Sequence, residues 1–389
     1  MLPVDTGGKI RSYNILRQLI RAHEVTFLSS YSGDPDPAYE ADIARELPGA
    51  RTIRTVSPQP GTLGQYLGYF GGIFRAAPFA VSSFADTAVR QQVTMWLNEK
   101  RFDVAVCDFL MPTINFPLAL ATPTVLFQHN VESSLWKRRA STESNPVRRI
   151  AYKLEAVKMD RYEQREVCRF HSIIAVSEHD RRQMLEMGAS DITVVPTGVD
   201  TQKYQISPPA TDNPPRFVFT GSMDWEPNID AVNYFCRAIL PAVRQELPDS
   251  LFQIVGRNPP ARVKRLACDY VQVTGTVASV SDYLRDATVV VVPLRAGAGT
   301  RLKIFEAMAM GKAVISTSIG AEGLDVHDGS DIILADEPIA FANAIVRLTR
   351  DAALRRQYEL AAAKSASRYD WSNITGVFVD ALQRMCAKA

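Results

Sequence analysis

Short apolar runs recur along the chain, and between them the apolar positions fall at helical spacing. The runs predict strands at 25–29, 52–56, 104–108, 124–128, 173–177 and 192–196 in the first half of the sequence. In the second half they predict strands at 216–220, 251–255, 271–274, 288–293, 313–316 and 332–334. Strands alternating with helices imply parallel sheets covered on both faces, an α/β architecture of two doubly wound, Rossmann-like domains. The halves part at SPPATDNPP, residues 207–215, which neither helix nor strand crosses. The predicted domains are therefore 1–205 and 206–370. A last segment, 371–389, carries Ile374, Phe378, Ala381, Leu382 and Met385 at helical spacing, and we expect it to pack back on the first domain. Two such domains face each other across a cleft between their strands' carboxyl edges, where ligands of this architecture bind.

One stretch adds chemistry to this pattern. AGAGTRLKIFEAMAMGKAVIST, residues 296–317, joins a fully apolar strand to a helix spanning 302–310 that Gly311 stops. Thr300 is placed to cap that helix. A helix start at a strand's carboxyl end offers free N–H groups and the positive end of a dipole, which is an anion site. Gly297 and Gly299 allow a bulky anion close to the backbone, so the expected ligand bears phosphate.

Composition narrows the choice little. Lys and Arg number 44 against 42 Asp and Glu, a net charge of +2, which gives no pull toward nucleic acid. Five cysteines lie apart with no CxxC pair, so neither a disulfide framework nor a zinc site is expected, and a reducing, cytoplasmic setting fits. No signal-peptide pattern is read, and no apolar run has the length of a spanning helix. The nearest, 66–84, is broken by Gly, Pro and Arg and reads as buried helix. The stretch 136–169, WKRRASTESNPVRRIAYKLEAVKMDRYEQREVCR, is helical in pattern and rich in both charges. It reads as solvated surface helices, or as a basic surface meeting anionic lipid or a phosphorylated acceptor at the inner membrane face. Asp34 and Asp36 imitate a D-x-D metal motif in a Pro-broken loop and are expected to bind nothing. Trp225 and Trp371 are expected to serve packing.

Several segments in order carry a resemblance. They are DTGGKIRSYNIL (5–16), FQHNVESSLW (127–136), AVSEHDRRQM (175–184), VVPTGVD (194–200) and FTGSMDWEPNIDAVNYF (219–235). With them stands VVVPLRAGAGTRLKIFEAMAMGKAVISTSIGAEGL (290–324). Together they resemble the retaining, metal-independent GT-B glycosyltransferases of family GT4, in an exopolysaccharide-type branch. The resemblance implies a hexosyltransferase taking a nucleotide-diphosphate sugar with no cofactor or metal. Its acceptor would be a glycan or lipid-linked glycan in cell-surface polysaccharide synthesis.

By the same resemblance 1–205 is the acceptor-side domain and 206–370 binds the donor. Glu306 would hold the ribose hydroxyls. Gly299, Thr300 and Leu302 would receive the diphosphate, and Gly7, Gly8 and Gly221 would let backbone approach it. Val277 lies where the base is received, and His129 matches a histidine touching the donor sugar. Arg301 and Lys303 would add charge at the leaving phosphate. They would stand in for an Arg/Lys pair that the family carries after the second domain's first strand and that 221–228, GSMDWEPN, lacks. The family's earlier glutamate is Ala298 here. The family's first strand, ahead of the glycine loop, is not in this sequence, so either the start is clipped or misassigned or the first sheet lacks a central strand. A non-catalytic nucleotide-sugar binder and a nucleotide-sugar 2-epimerase are the open alternatives.

Overall fold

The computed structural model describes the chain except residues 1, 3, 5, 56–76, 100, 121, 208–213, 297–300 and 388–389. The chain divides into two compact units, Met1–Pro196 with Ile374–Ala389, and Thr197–Asn373. The segment 197–207 thus belongs to the second unit.

The first unit runs α1 (Gly7–Leu19), β1 (Phe27–Ser32), α2 (Pro37–Glu46), β2 (Ala50–Thr55), α3 (Thr87–Asn98), β3 (Ala105–Asp108), β4 (Thr124–Phe127), α4 (Glu132–Thr142), α5 (Pro146–Arg169), β5 (Ser172–Ala175), α6 (Glu178–Glu186) and β6 (Ile192–Val194). Each strand stands within a few residues of an apolar run named above. All pairs are parallel, but they form two sheets, β1-β2 and β3-β4-β5-β6. Among the described residues no strand joins β1 to β3. β4 and β5 are buried along their whole length, as strands covered by helices on both faces must be. Leu126 and Ile173 from these strands pack with Met159 and Tyr162 of α5 in one apolar cluster.

The second unit contains β7 (Arg216–Thr220), α7 (Glu226–Tyr234), β8 (Leu251–Val255), β9 (Val271–Gly275), α8 (Val280–Arg285), β10 (Val289–Val292), α9 (Leu302–Ala309), β11 (Val314–Ser316), β12 (Ile333–Leu334), α10 (Pro338–Arg350) and α11 (Ala352–Ser367). Its six strands form one parallel sheet in the order β12-β11-β10-β7-β8-β9. The chain winds from β7 toward β9, then crosses to β10 on the other side. That reversal opens a crevice at the carboxyl ends of β7 and β10.

The last helix, α12 (Trp371–Cys386), buries Ile374, Phe378, Ala381 and Met385. Phe378 meets Phe127 of β4 with ring centroids 5.2 Å apart, and Arg384 donates to Thr193 Oγ1 at 3.3 Å. Truncating a buried aromatic side chain costs the transfer term and the cavity left behind. Phe378→Ala is expected to remove about 3–5 kcal/mol from the first unit's urea unfolding transition, leaving the second unit's transition unchanged.

Candidate functional site

The second unit's crevice gathers side chains from three segments. Gly221 follows β7 directly. A Cβ there would stand 2.7 Å from the Lys303 ammonium and 2.7 Å from Asn228 Nδ2, so a side chain at 221 would push these groups aside. Gly256 packs as closely behind, since a Cβ there would overlap the Gly221 carbonyl. Lys303, in the first turn of α9, donates from Nζ to Asn228 Oδ1 at 2.9 Å and lies 4.1 Å from the centre of the Phe219 ring. Asn228 is fixed in turn by donating to the Ser222 carbonyl at 2.8 Å. Among the described residues Lys303 makes no ion pair. Burial, and then the positive charge of Arg301, lower its pKa from 10.5 to about 7, against the pull of Glu306.

Arg301 occupies the N-cap position of α9, with no side-chain capping bond. Thr300, the expected cap, lies outside the described residues, as do Gly297, Ala298 and Gly299. The Arg301 side chain is buried, with its guanidinium 3.4 Å from the Ile319 carbonyl and 5.9 Å from the Trp225 ring. Trp225 is 37% exposed, so it is not a core residue. The loop after β7 ends at Trp225, which caps α7 from outside the core. Trp371 is buried, against Gly198. Leu302 starts α9 and is half-buried.

Glu306, one turn into α9, accepts from the Tyr204 hydroxyl at its Oε1, 3.0 Å away. Its Oε2 accepts from no described residue. Burial raises the Glu306 pKa, while Tyr204, Lys203 and Lys303 oppose the shift. Burial and the Glu306 charge raise the Tyr204 phenol far above its ordinary value, so it stays a donor. Val277 sits half-buried in the loop after β9, the edge strand of the sheet. Sequence reasoning missed Tyr204 and Asn228. Both lie in quoted segments or just beyond them, but their partners are far along the chain.

A separate group forms in the first unit. Gly7 and Gly8 open α1. A Cβ at Gly8 would lie 2.6 Å from the Phe109 ring, whereas Gly7 faces open space. Phe109 holds φ at +73°, a strained left-handed conformation that places its ring flat on His129, centroids 3.8 Å apart. Arg11 donates to His129 Nδ1 at 2.7 Å, so the ring proton sits on Nε2 and goes to Asp108 Oδ1, also 2.7 Å away. Asp108 Oδ2 accepts from Ser12 at 2.6 Å. Burial holds His129 below its ordinary pKa despite Asp108. Both ring nitrogens are engaged within the unit. Arg11, Ser12 and Asp108 were not foreseen from the sequence.

Asp36 of the D-x-D imitation accepts from the Tyr39 backbone at 2.9 Å and caps α2. Among the described residues no group of three or more His, Cys, Asp or Glu could hold a metal ion, and no helix is long and apolar enough to cross a membrane.

Residues 6–203 match the family described as Glycosyltransferase Family 4, and residues 214–351 match Glycosyl transferases group 1. A phosphatidyl-myo-inositol mannosyltransferase of Mycobacterium leprae is 30% identical over 209 residues, 51% of this chain and 55% of that protein. The chain spans about half the length of the curated relatives it matches. Sucrose-phosphate synthase from Thermosynechococcus elongatus superposes with a TM-score of 0.70 at 15% identity, over 99% of this chain and 94% of that one. Anabaena HepE in complex with UDP superposes with a TM-score of 0.66 at 15% identity, over 98% and 97%. These two share its fold.

The lysine carries a direct prediction. With ε-carbon-labelled lysine, NMR is expected to show one side chain titrating near pH 7, absent in Lys303→Met. The sign of the linked stability follows. Between the folded value near 7 and the unfolded value near 10.5 the unfolded chain binds the extra proton. Wild-type stability relative to Lys303→Met therefore rises with pH across that window.

Proposed function

We infer the activity from one premise: the chain belongs to Glycosyltransferase Family 4. Its two parallel-sheet units have the fold of the GT-B glycosyltransferases. The proposed reaction is transfer of a hexosyl group from a nucleotide-diphosphate sugar to a glycan or lipid-linked acceptor, with retention of anomeric configuration and without a metal ion. The observation that carries it is the Lys303 ammonium, unpaired among the described residues, at the start of α9 where β7 and β10 diverge.

In this reading the diphosphate lies at the N-terminus of α9. Leu302, Gly221 and the undescribed Gly299 and Thr300 admit it to the backbone. As the bond from the anomeric carbon to the diphosphate oxygen breaks, negative charge grows on the leaving phosphate. Arg301 and Lys303, with the helix N–H groups, meet that charge without rearranging. The acceptor oxygen bonds to the anomeric carbon on the face the phosphate leaves, and the nucleoside diphosphate departs. Glu306, oriented by Tyr204, offers Oε2 to the ribose hydroxyls, and Val277 lines the place of the base. In the first unit, Gly7 and Gly8 beside His129 are proposed to meet the sugar or acceptor. The His129 ring positions this loop, since Arg11 and Asp108 hold both its nitrogens. The complex of HepE with UDP-glucose and the mannosyltransferase relatives support a nucleotide-sugar donor and leave the base and sugar to experiment.

The test is a thermal-shift series with UDP, GDP, ADP and their sugars in EDTA. One nucleotide is expected to raise the melting temperature of the wild type. Glu306→Ala is expected to weaken that binding about ten- to a hundred-fold, the worth of hydrogen bonds to a charged group. Lys303→Met is expected to lower kcat about 10²- to 10³-fold, as loss of one fixed transition-state donor does elsewhere. NMR of the product is expected to show the donor's anomeric configuration. No stabilisation by any nucleotide sinks the reading. Stabilisation without turnover on any acceptor or water favours a non-catalytic binder.

A further inference from the structure

A cavity of about 380 Å³ opens on the second unit between α7 and the short helix Ala261–Lys264. Glu226, Asp230, Asn233 and Arg237 line one wall. Their steps of four, three and four residues set them on one face of α7 and of the π-helical turn, Phe235–Ile239, that continues it. Pro241 lacks the N–H that an α-helix would aim at the Arg237 carbonyl, which accounts for the widened turn. Arg262, Arg265 and Leu266 form the facing wall. Asn228 lies on the opposite face of α7, turned to the Ser222 carbonyl and Lys303, so the donor crevice does not use this cavity.

The charges around the cavity do not balance. Glu226 accepts from Arg262. Asp230 accepts from both arms of Arg295, in the loop after β10, with Nε at 3.0 Å. Both carboxylates of the cavity are thus committed. Arg237 and Arg265 come from opposite walls, and among the described residues neither side chain has an ion pair or a hydrogen bond. Two like charges lining one cavity repel until an anion enters between them. Guanidinium forks match the oxygens of a phosphate, each offering paired N–H donors. The other groups bear on what the phosphate carries. Asn233 gives its Nδ2 to the Ile229 carbonyl at 2.7 Å, which leaves Oδ1 as an acceptor beside the outer oxygens of Asp230 and Glu226. Such acceptors suit hydroxyl groups. Ile229 and Leu266 add a short apolar surface for carbon-bound hydrogens. Among the described residues no aromatic ring lines the cavity, so a nucleotide base finds nothing to stack on.

We propose that this cavity binds a small hydroxylated phosphate monoester, the chemical class of the sugar phosphates. Arg237 and Arg265 clamp the phosphate from the two walls, and Asn233, Asp230 and Glu226 receive the hydroxyls. The site rests on the outer face of α7 and stands or falls apart from the donor reading.

The experiment is isothermal titration calorimetry of the full chain with glucose 6-phosphate, fructose 6-phosphate and glycerol 3-phosphate, against ethyl phosphate and inorganic phosphate as probes without the hydroxylated body. At least one of the three hydroxylated esters is expected to bind wild type about ten-fold more tightly than either control. Arg237→Gln and Arg265→Gln are each expected to weaken that ester about ten-fold or more, the worth of hydrogen bonds to a charged group. Asn233→Ala is expected to weaken the ester and leave inorganic phosphate unchanged. Arg237 and Arg265 are exposed, so the melting temperature of these two variants without ligand, and their stabilisation by nucleotide, should match wild type. That separates a lost site from lost folding. Lys303→Met is expected to keep the ester's affinity, which separates this cavity from the donor crevice. Binding of no hydroxylated ester, or equal binding of inorganic phosphate, overturns the proposal. So does an affinity that survives both arginine substitutions, or one lost in Lys303→Met alone, since the phosphate would then sit in the donor crevice.

Discussion

A half-buried lysine ammonium that makes no ion pair among the described residues is the constraint on which the second unit's site depends. Lys303 lies against the Phe219 ring and gives its nearest hydrogen bond to a neutral amide, Asn228. Partly burying a charge in this way is costly unless an anion is supplied, and burial with the nearby Arg301 lowers the lysine pKa to about 7. Other features of the crevice follow from making room for that group. Gly221 leaves room beside it, Asn228 is anchored on the Ser222 carbonyl, and the helix bearing Lys303 starts where β7 and β10 part. An arriving diphosphate would restore the missing charge balance at the point where a helix terminus already favours it.

The first unit shows the opposite arrangement. There Arg11 donates to His129, and His129 and Ser12 both donate to Asp108, so the cation is joined to a carboxylate through the imidazole. Such a network fixes geometry. It holds the start of α1 against the strained Phe109 and leaves the imidazole no free nitrogen. The sequence marks His129 and Lys303 alike as candidates for chemistry, and their surroundings separate them into a positioning group and an unsatisfied cation.

Much of this was legible from the chain alone, for physical reasons. Strands buried on both faces, such as Val289–Val292, must be uninterrupted apolar runs, so each predicted strand lies close to its place. The helix carrying Arg301, Lys303 and Glu306 announces itself by its small-residue approach and by Gly311, whose φ of +66° is the backbone a helix stop requires. What could not be read depends on contacts between distant positions. Tyr204 reaches Glu306 across 102 residues, and Asp108 gains its role from Ser12 and His129 on other elements. Trp225 misled because its size suggests a core residue, whereas the loop that carries it ends outside the core.

The most direct test of the central claim is the proton balance of donor binding. A nucleotide-diphosphate sugar, whose diphosphate keeps its charge across this range, would be titrated calorimetrically at pH 8 in EDTA, in two buffers of different ionisation enthalpy. If the diphosphate completes the charge of Lys303, binding takes up close to one proton in the wild type and none in Lys303→Met. Binding with no proton uptake, or with the same uptake in both proteins, would contradict the account.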